Sequence, residues 1–119
     1  MMRPSADLQE VFLCLEAVDF RKGINGLAAF VEAGLGMSPF GPGLFVFRNR
    51  DKTRIKILYW ERNGFCLWQK RLEQDRFHWL RDPSNSVATI TGQQLNWLLD
   101  GCDIARIKPH KVLNYSNIS

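Results

Sequence analysis

The sequence predicts a single domain of the α+β class, in which an antiparallel β-meander packs against two or so helices. Two segments, residues 54–60 and 65–72, alternate apolar with polar or basic residues around the dipeptide Asn63-Gly64, the strongest short signal of a β-hairpin. Apolar residues recur at helical spacing in two other segments, one beginning at Ile24 and one at Leu95. A chain of 119 residues with 45% apolar residues suits one modest core.

The N-terminal third is predicted to contain one strand and one helix. Residues 11–15, VFLCL, form a short and wholly apolar run, which is typical of a buried strand. Asp19 is expected to cap a helix that extends from about Ile24 to Glu32. The apolar face of this helix consists of Ile24, Leu27, Ala28 and Val31.

A loop is predicted to separate this helix from the meander. Gly34 and Gly36 end the helix, since glycine readily adopts the left-handed conformation in which helices often finish. The two prolines and two glycines of residues 37–43 exclude regular structure there.

The middle of the chain is predicted to form four strands, at residues 44–47, 54–60, 65–72 and 77–79. A type I′ turn at Asn63-Gly64 implies a register with Lys56 opposite Arg71 and Trp60 opposite Leu67. One face of the hairpin is mostly apolar, and we expect the first helix to pack on it: Ile55, Ile57, Tyr59, Trp68 and Leu72. The other face is left for another part of the chain or for a partner, and contains Lys56, Leu58, Trp60, Phe65, Leu67 and Arg71.

The C-terminal part is predicted to add a strand at residues 87–90 and a second helix. Thr91 and Gln94 have the spacing of a capping box, and Gly101 ends the helix after a buried stripe of Leu95, Leu98 and Leu99. We expect residues 1–10 to be a lead-in, residues 11–103 to be the domain, and residues 104–119 to be a partly mobile tail with a polar end.

Several function classes are disfavoured by what the sequence lacks. No apolar run approaches the ~20 residues of a membrane span, and the first ten residues do not resemble a secretory signal. Cys14, Cys66 and Cys102 are widely spaced and make no C-x-x-C motif, which favours a reducing cytoplasm. There is no P-loop, and His78 and His110 are unconnected. We therefore expect no metal, no cofactor, no membrane association and no catalytic site.

Positive charge is concentrated in the middle of the chain. Ten bases and four acids lie between Arg48 and Arg81, whereas the rest of the chain has six bases and eight acids. Such a focused field favours an anionic partner, and a merely solvated surface is the alternative interpretation. Arg21 and Lys22 are further candidates, unless they reach solvent or pair with Asp19. The candidate nucleic-acid-binding residues are Arg21, Lys22, Arg48, Arg50, Lys52, Arg54, Lys56, Lys70 and Arg71.

Three runs of the sequence carry a resemblance to a known family: VDFRKGINGLAAFV, GPGLFVFRNR and TRIKILYWERNGFCLWQKRLEQDRFHW. Together they resemble the accessory protein encoded second in insertion-sequence elements of family sixty-six. That protein is called TnpB or the Orf2-like protein, and is unrelated to the RNA-guided nuclease with the same label. The resemblance covers roughly residues 11–103 and implies a role in DNA transposition beside a separate, larger transposase. It implies no catalytic residues.

Two hypotheses about function remain open at this point. The first is an accessory module that binds DNA, such as the element ends, through the basic hairpin. The second is an interaction module that docks the transposase, or a second copy of this chain, through the apolar residues Leu58, Trp60, Phe65 and Leu67. Phosphate contacts release counterions and give a steep salt dependence, whereas apolar docking does not, so salt separates the two hypotheses.

Overall fold

The computed structural model describes residues 10–107, and these form a mixed five-stranded sheet with a helix on each face. In chain order the elements are β1 (Val11–Cys14), α1 (Ile24–Ala29) with a π-helical extension (Phe30–Gly34), β2 (Leu44–Arg48), β3 (Arg54–Glu61), β4 (Gly64–Arg71), β5 (Val87–Ile90) and α2 (Gly92–Leu99). The α+β class is as predicted. The predicted lead-in, except its last residue, and the tail beyond residue 107 lie outside the described residues.

The strand order is β4-β3-β2-β1-β5, so only part of the sheet is a meander. Strands β2, β3 and β4 are antiparallel neighbours, as predicted. Strand β1 pairs parallel to β2, with Val11 opposite Leu44, and antiparallel to β5. Parallel neighbours need a crossover connection, and α1 with its π-helical extension supplies it. The predicted strand at residues 77–79 is wrong: this segment joins no ladder, and it is held by the Phe77 amide, which donates to the Lys52 carbonyl at 2.8 Å.

Each face of the sheet has its own core. Ile55 and Ile57 of β3 pack with the leucines of α2 and with buried Phe77 and Trp79. On the other face, Leu58 packs with Leu27 and Val31 of the first helix. The expectation that the first helix covers the face of Ile55 and Ile57 is therefore wrong, because α2 covers it. Alternation identifies which residues share a face, but it does not identify the helix that covers that face.

The hairpin register differs from the predicted one by two residues. The loop residues are Arg62 and Asn63, Glu61 pairs with Gly64, and Arg62 has the positive φ of 58°. An even shift keeps every side chain on its face but changes its partner. Two apolar pairs result, Trp60 with Phe65 and Leu58 with Leu67, and the Trp60 and Phe65 rings lie 5.0 Å apart. We attribute the shift to these cross-strand pairs, since the Asn-Gly turn would have placed Leu58 opposite a glutamine.

The observed helix ends agree with those predicted from the sequence in all but one case. Thr91 and Gln94 form the predicted capping box, and Gly101 ends α2 with a φ of 91°. Gly36, with a φ of 65°, follows the π-helical extension. The prediction that Asp19 caps the first helix is wrong, because the N-cap residue is Gly23 and it makes no side-chain cap.

Candidate functional site

The directions of the strands gather three segments that contain arginine or lysine at one end of the sheet, and only the middle one, residues 48–54, carries a net positive charge. Strand β2 ends at Arg48, where β3 begins, and Arg54 of β3 pairs with Arg71 of β4. Backbone hydrogen bonds attach the flanking loops to the same end: Val18 N to Arg48 O, Leu72 N to Thr53 O, and Leu15 N to Ser86 O. We call residues 15–22, 48–54 and 71–87 the basic end. They contain nine bases and six acids.

Most of the predicted nucleic-acid-binding residues are accessible at this end. Arg21, Lys22, Arg50 and Arg71 are exposed, whereas Arg48, Lys52 and Arg54 are half-buried. Arg71 forms an ion pair of 3.0 Å with Glu73, and Arg50 lies 3.9 Å from Asp51. Exposed pairs of this kind contribute little to stability, so these arginines can exchange a carboxylate for a phosphate at small cost.

Asp19 pairs with Arg21 instead of capping the helix. Its carboxylate accepts two hydrogen bonds from the Arg21 Nε atom, one at 2.6 Å from Nη2 and one from the Arg21 backbone amide. The hydrogen bonds from Arg21 lower the pKa of Asp19 from 3.8 to about 2. The Arg21 side chain is 91% exposed. The pairing alternative considered from the sequence therefore applies to Arg21, while Lys22 keeps an exposed side chain.

Lys56 has to be removed from the candidate DNA contacts. Only 7% of the residue is exposed, and its Nζ atom donates to the carbonyls of Phe20 at 2.9 Å and Lys22 at 2.8 Å. The ammonium also lies 4.8 Å from the centre of the Phe20 ring, within the range of a cation–π contact. Desolvation by burial lowers the pKa of Lys56. Its role is to hold residues 19–23 against the sheet, and it lies opposite Gln69, not Arg71.

Lys70 is also occupied by the fold. Its Nζ atom donates to the Leu99 carbonyl at 2.7 Å, on the face covered by α2. Leu99 is the last residue of α2, so the ammonium lies at the negative end of the helix dipole. This position separates Lys70 from the cations on the opposite face of the sheet.

Asn49 organises the loop between β2 and β3, which carries Arg50 and Lys52. Its side-chain oxygen accepts from the amides of Thr53 and Arg54 at 2.9 and 3.0 Å, and its amide nitrogen donates to the Thr53 hydroxyl. The loop also contains Lys52 with a φ of 62°. Sequence reasoning overlooked Asn49, although an asparagine at the start of a polar link between strands is a recognisable turn signal.

The apolar candidates lie at the opposite end of β3. Trp60 packs edge-on against Phe40 and Phe65 packs tilted against it, with ring centres 5.1 and 5.3 Å from the Phe40 ring. Phe40 is 56% exposed and was missed by sequence reasoning, because it lies in the 37–43 loop. Leu58 is fully buried and is therefore corrected to a core residue, whereas Leu67 is half-buried against the same core. We call Phe40, Trp60 and Phe65 the aromatic cluster.

The described residues offer no grouped metal ligands, and the buried Cys14 thiol is not ionised. Within residues 10–107, no three His, Cys, Asp or Glu side chains are grouped so that they could hold a metal ion. Burial, and secondarily the charge of Glu16, raises the pKa of Cys14 to about 12, so its thiol stays protonated. None of the described helices is long and apolar enough to cross a membrane.

Comparisons with known proteins identify the family. Residues 9–109 match the family described as IS66 Orf2 like protein. Two relatives come from Sinorhizobium fredii: the uncharacterized protein y4hO is 35% identical over 102 residues, which cover 86% of this chain and 88% of the relative. The uncharacterized protein y4jC is 33% identical over 109 residues, 91% of either chain. No solved structure matches significantly. This chain therefore belongs to the IS66 Orf2-like family, whose members are associated with transposition.

Proposed function

We propose that this protein is a non-catalytic accessory factor of transposition that binds DNA through its basic end. The observation that supports this most is the convergence of three chain segments, which places Lys22, Arg50, Arg54 and Arg71 around one end of the sheet. Summed over 15–22, 48–54 and 71–87, the charge is +3, from nine bases and six acids. The protein as a whole has a net charge of +4, so most of the excess lies there.

Contacts of this type suit the DNA backbone better than the base edges. The exposed cations project from loops and strand ends, where flexible side chains reach phosphates without a fixed register. Each neutralised phosphate releases counterions, so log affinity falls with log salt concentration by about 0.9 per contact on duplex DNA. We therefore expect affinity to depend steeply on salt and weakly on sequence.

The direct test is a fluorescence anisotropy titration against a duplex from the element ends and a scrambled duplex, at several salt concentrations. The variant Lys22→Gln/Arg50→Gln/Arg54→Gln removes three exposed or half-exposed cations, and should lower the salt slope by about 2.7 on both duplexes. Arg62→Gln is the matched control, since Arg62 is exposed at the hairpin tip, at the opposite end of β3. A folded triple variant with wild-type affinity and slope would contradict DNA binding by the basic end.

A second function is favoured by the aromatic cluster. Phe40 remains 56% exposed although two aromatic rings pack against it, and an exposed aromatic group of this kind suits a protein partner. The partner we propose is the larger transposase of the same element. Phe40→Ser should weaken co-purification of that transposase while DNA affinity and salt slope stay unchanged. Unaltered co-purification would exclude Phe40 from the interface.

A further inference from the structure

A half-open cavity at the basic end is lined by residues 15–16, by Arg48 and Lys52, and by part of residues 79–85. Its volume is about 400 Å³. Three cations line it: Arg48 is the last residue of β2, Lys52 lies in the loop that follows, and Arg81 comes from a distant segment. Arg81 was not among the candidates drawn from the sequence. The remaining lining is partly apolar and includes Leu15, Trp79, Leu80 and Pro83.

The guanidinium of Arg48 is held in place but is not fully satisfied. Its Nη1 atom donates to the carbonyls of Asn49 at 3.2 Å and Arg50 at 3.4 Å. Its Nε atom is buried and has no acceptor among residues 10–107. Leaving a buried charged donor without an acceptor costs free energy, so Arg48 would gain a hydrogen bond if its guanidinium turned Nε toward an oxyanion in the cavity.

The two acids that line the cavity do not satisfy Arg48. Asp82 accepts from the Ser84 amide at 3.0 Å and from the Asn85 side chain at 2.7 Å, so each of its oxygens has a partner other than Arg48. Glu16 is exposed, and in the described part of the chain it makes no ion pair with Arg48. Desolvation lowers the pKa of Arg48, and the charge of Glu16 opposes that effect from a distance. Three cations and two acids leave a net positive charge along a partly apolar cavity wall, which favours an anion there.

We propose that this cavity is a phosphate site, in which Arg48, Lys52 and Arg81 hold a phosphate oxyanion of the DNA backbone or a free phosphate. Binding of a DNA backbone phosphate at this site rests on the proposed function, whereas binding of free phosphate does not. Arginine suits the task because its planar donors match the geometry of phosphate oxygens. The site would anchor one phosphate, while the exposed cations of the basic end would track the neighbouring ones.

The experiment follows the Nε–H signals of Arg48 and Arg81 by ¹H–¹⁵N NMR during titration with inorganic phosphate. We expect both signals to shift and to saturate, while sodium chloride at equal ionic strength leaves them in place. Arg81→Met removes one charge-assisted contact and should weaken phosphate binding about tenfold. Glu16→Gln removes an opposing charge and should strengthen it. Arg62→Gln, at the other end of the sheet, should behave as wild type.

Arg81 is exposed, so its replacement keeps the test valid even if Arg48→Met fails to fold. A linear, non-saturating shift that chloride reproduces would overturn the proposal. Titration with the duplex DNA separates the sources: a matching shift of Arg48 assigns the site to the DNA backbone, and a response to inorganic phosphate alone assigns it to free phosphate. Loss of DNA affinity in the Lys22/Arg50/Arg54 variant without any Arg48 response to phosphate would overturn this site and leave the proposed function standing.

Discussion

Arg54 and Arg71 are cross-strand partners, directly opposite each other where β3 begins and β4 ends. Like charges in this position destabilise a sheet by roughly 0.2–1 kcal/mol. Glu73 relieves part of the repulsion, because its carboxylate accepts from the Arg71 Nε atom at 3.0 Å. A sheet with this pair at its end is more stable when an anion lies nearby, as expected if the pair serves binding.

Arg71→Gln should therefore change stability and DNA binding in opposite directions. Removing the like-charge pair should raise the free energy of unfolding by a few tenths of a kcal/mol at low salt, and should lower the DNA salt slope by about 0.9. Urea denaturation and anisotropy on the same preparation measure the two effects. Glu73→Gln is the control and should destabilise slightly. A loss of both stability and DNA affinity in Arg71→Gln would show that the arginine is structural.

Lys56→Met should destabilise the protein without changing the DNA salt slope. The substitution removes the hydrogen bonds from the Lys56 ammonium to the part-buried carbonyls of Phe20 and Lys22, which should cost about 1–3 kcal/mol in total. Urea denaturation gives the stability, and Arg50→Gln, at an exposed position, should change it by less than about 0.5 kcal/mol. If Lys56→Met were as stable as wild type but bound DNA more weakly, the lysine would belong to the interface after all.

The ion pair between Asp19 and Arg21 should produce a pH dependence at acid pH only. The folded-state pKa of Asp19 is lowered from 3.8 to about 2, so its stabilising contribution is present above 3.8 and is lost as the pH falls toward 2. Thermal midpoints of wild type and Asp19→Asn should differ at pH 5 and converge near pH 2. Because the pair is exposed, the difference should shrink in high salt. A difference between the two thermal midpoints that persists unchanged at pH 2 would rule out the ionised Asp19 carboxylate as its cause.

The capping box should be a measurable part of the stability of α2. Thr91→Ala removes the acceptor for the Gln94 amide, which now donates to the Thr91 hydroxyl at 3.0 Å, and should cost about 1 kcal/mol. Thr91→Ser retains the hydroxyl and should cost much less. Chemical denaturation of both variants tests this, and equal losses for Ala and Ser would mean that the threonine methyl group, not the cap, is responsible.

Leu58 and Phe40 should respond to truncation in contrasting ways. Leu58→Ala empties a site in a fully buried core and should destabilise by about 2–5 kcal/mol. Phe40→Ala removes a ring that is more than half exposed, so its cost should be well below that of Leu58→Ala. Denaturation midpoints compare the two. A smaller loss for Leu58→Ala than for Phe40→Ala would reverse the assignment of core and surface.

Local patterns in the sequence determined the elements of this fold. The apolar runs predict β1, β2 and β5, the alternation around Asn63-Gly64 predicts the hairpin, and Thr91 with Gln94 predicts the start of α2. Each of these signals depends on residues within a few positions of one another. Such residues act through backbone propensity and through the shared burial of near neighbours. Their secondary structure can therefore be predicted without knowledge of the tertiary fold.

Long-range relationships were decided only by the tertiary structure. Apolar cross-strand pairs set the register of the hairpin, and the parallel pairing of β1 with β2 makes the sheet mixed. The second helix, α2, covers the sheet face on which the first helix was expected to pack. The tertiary structure also decided which residues form the candidate site. Lys56 is a basic residue that the fold buries, and Arg81 lines the same cavity as Arg48 although 33 positions separate them in the sequence. Charge is a property of the chain, but access to a ligand depends on which segments pack over it, and that depends on contacts between residues far apart in sequence.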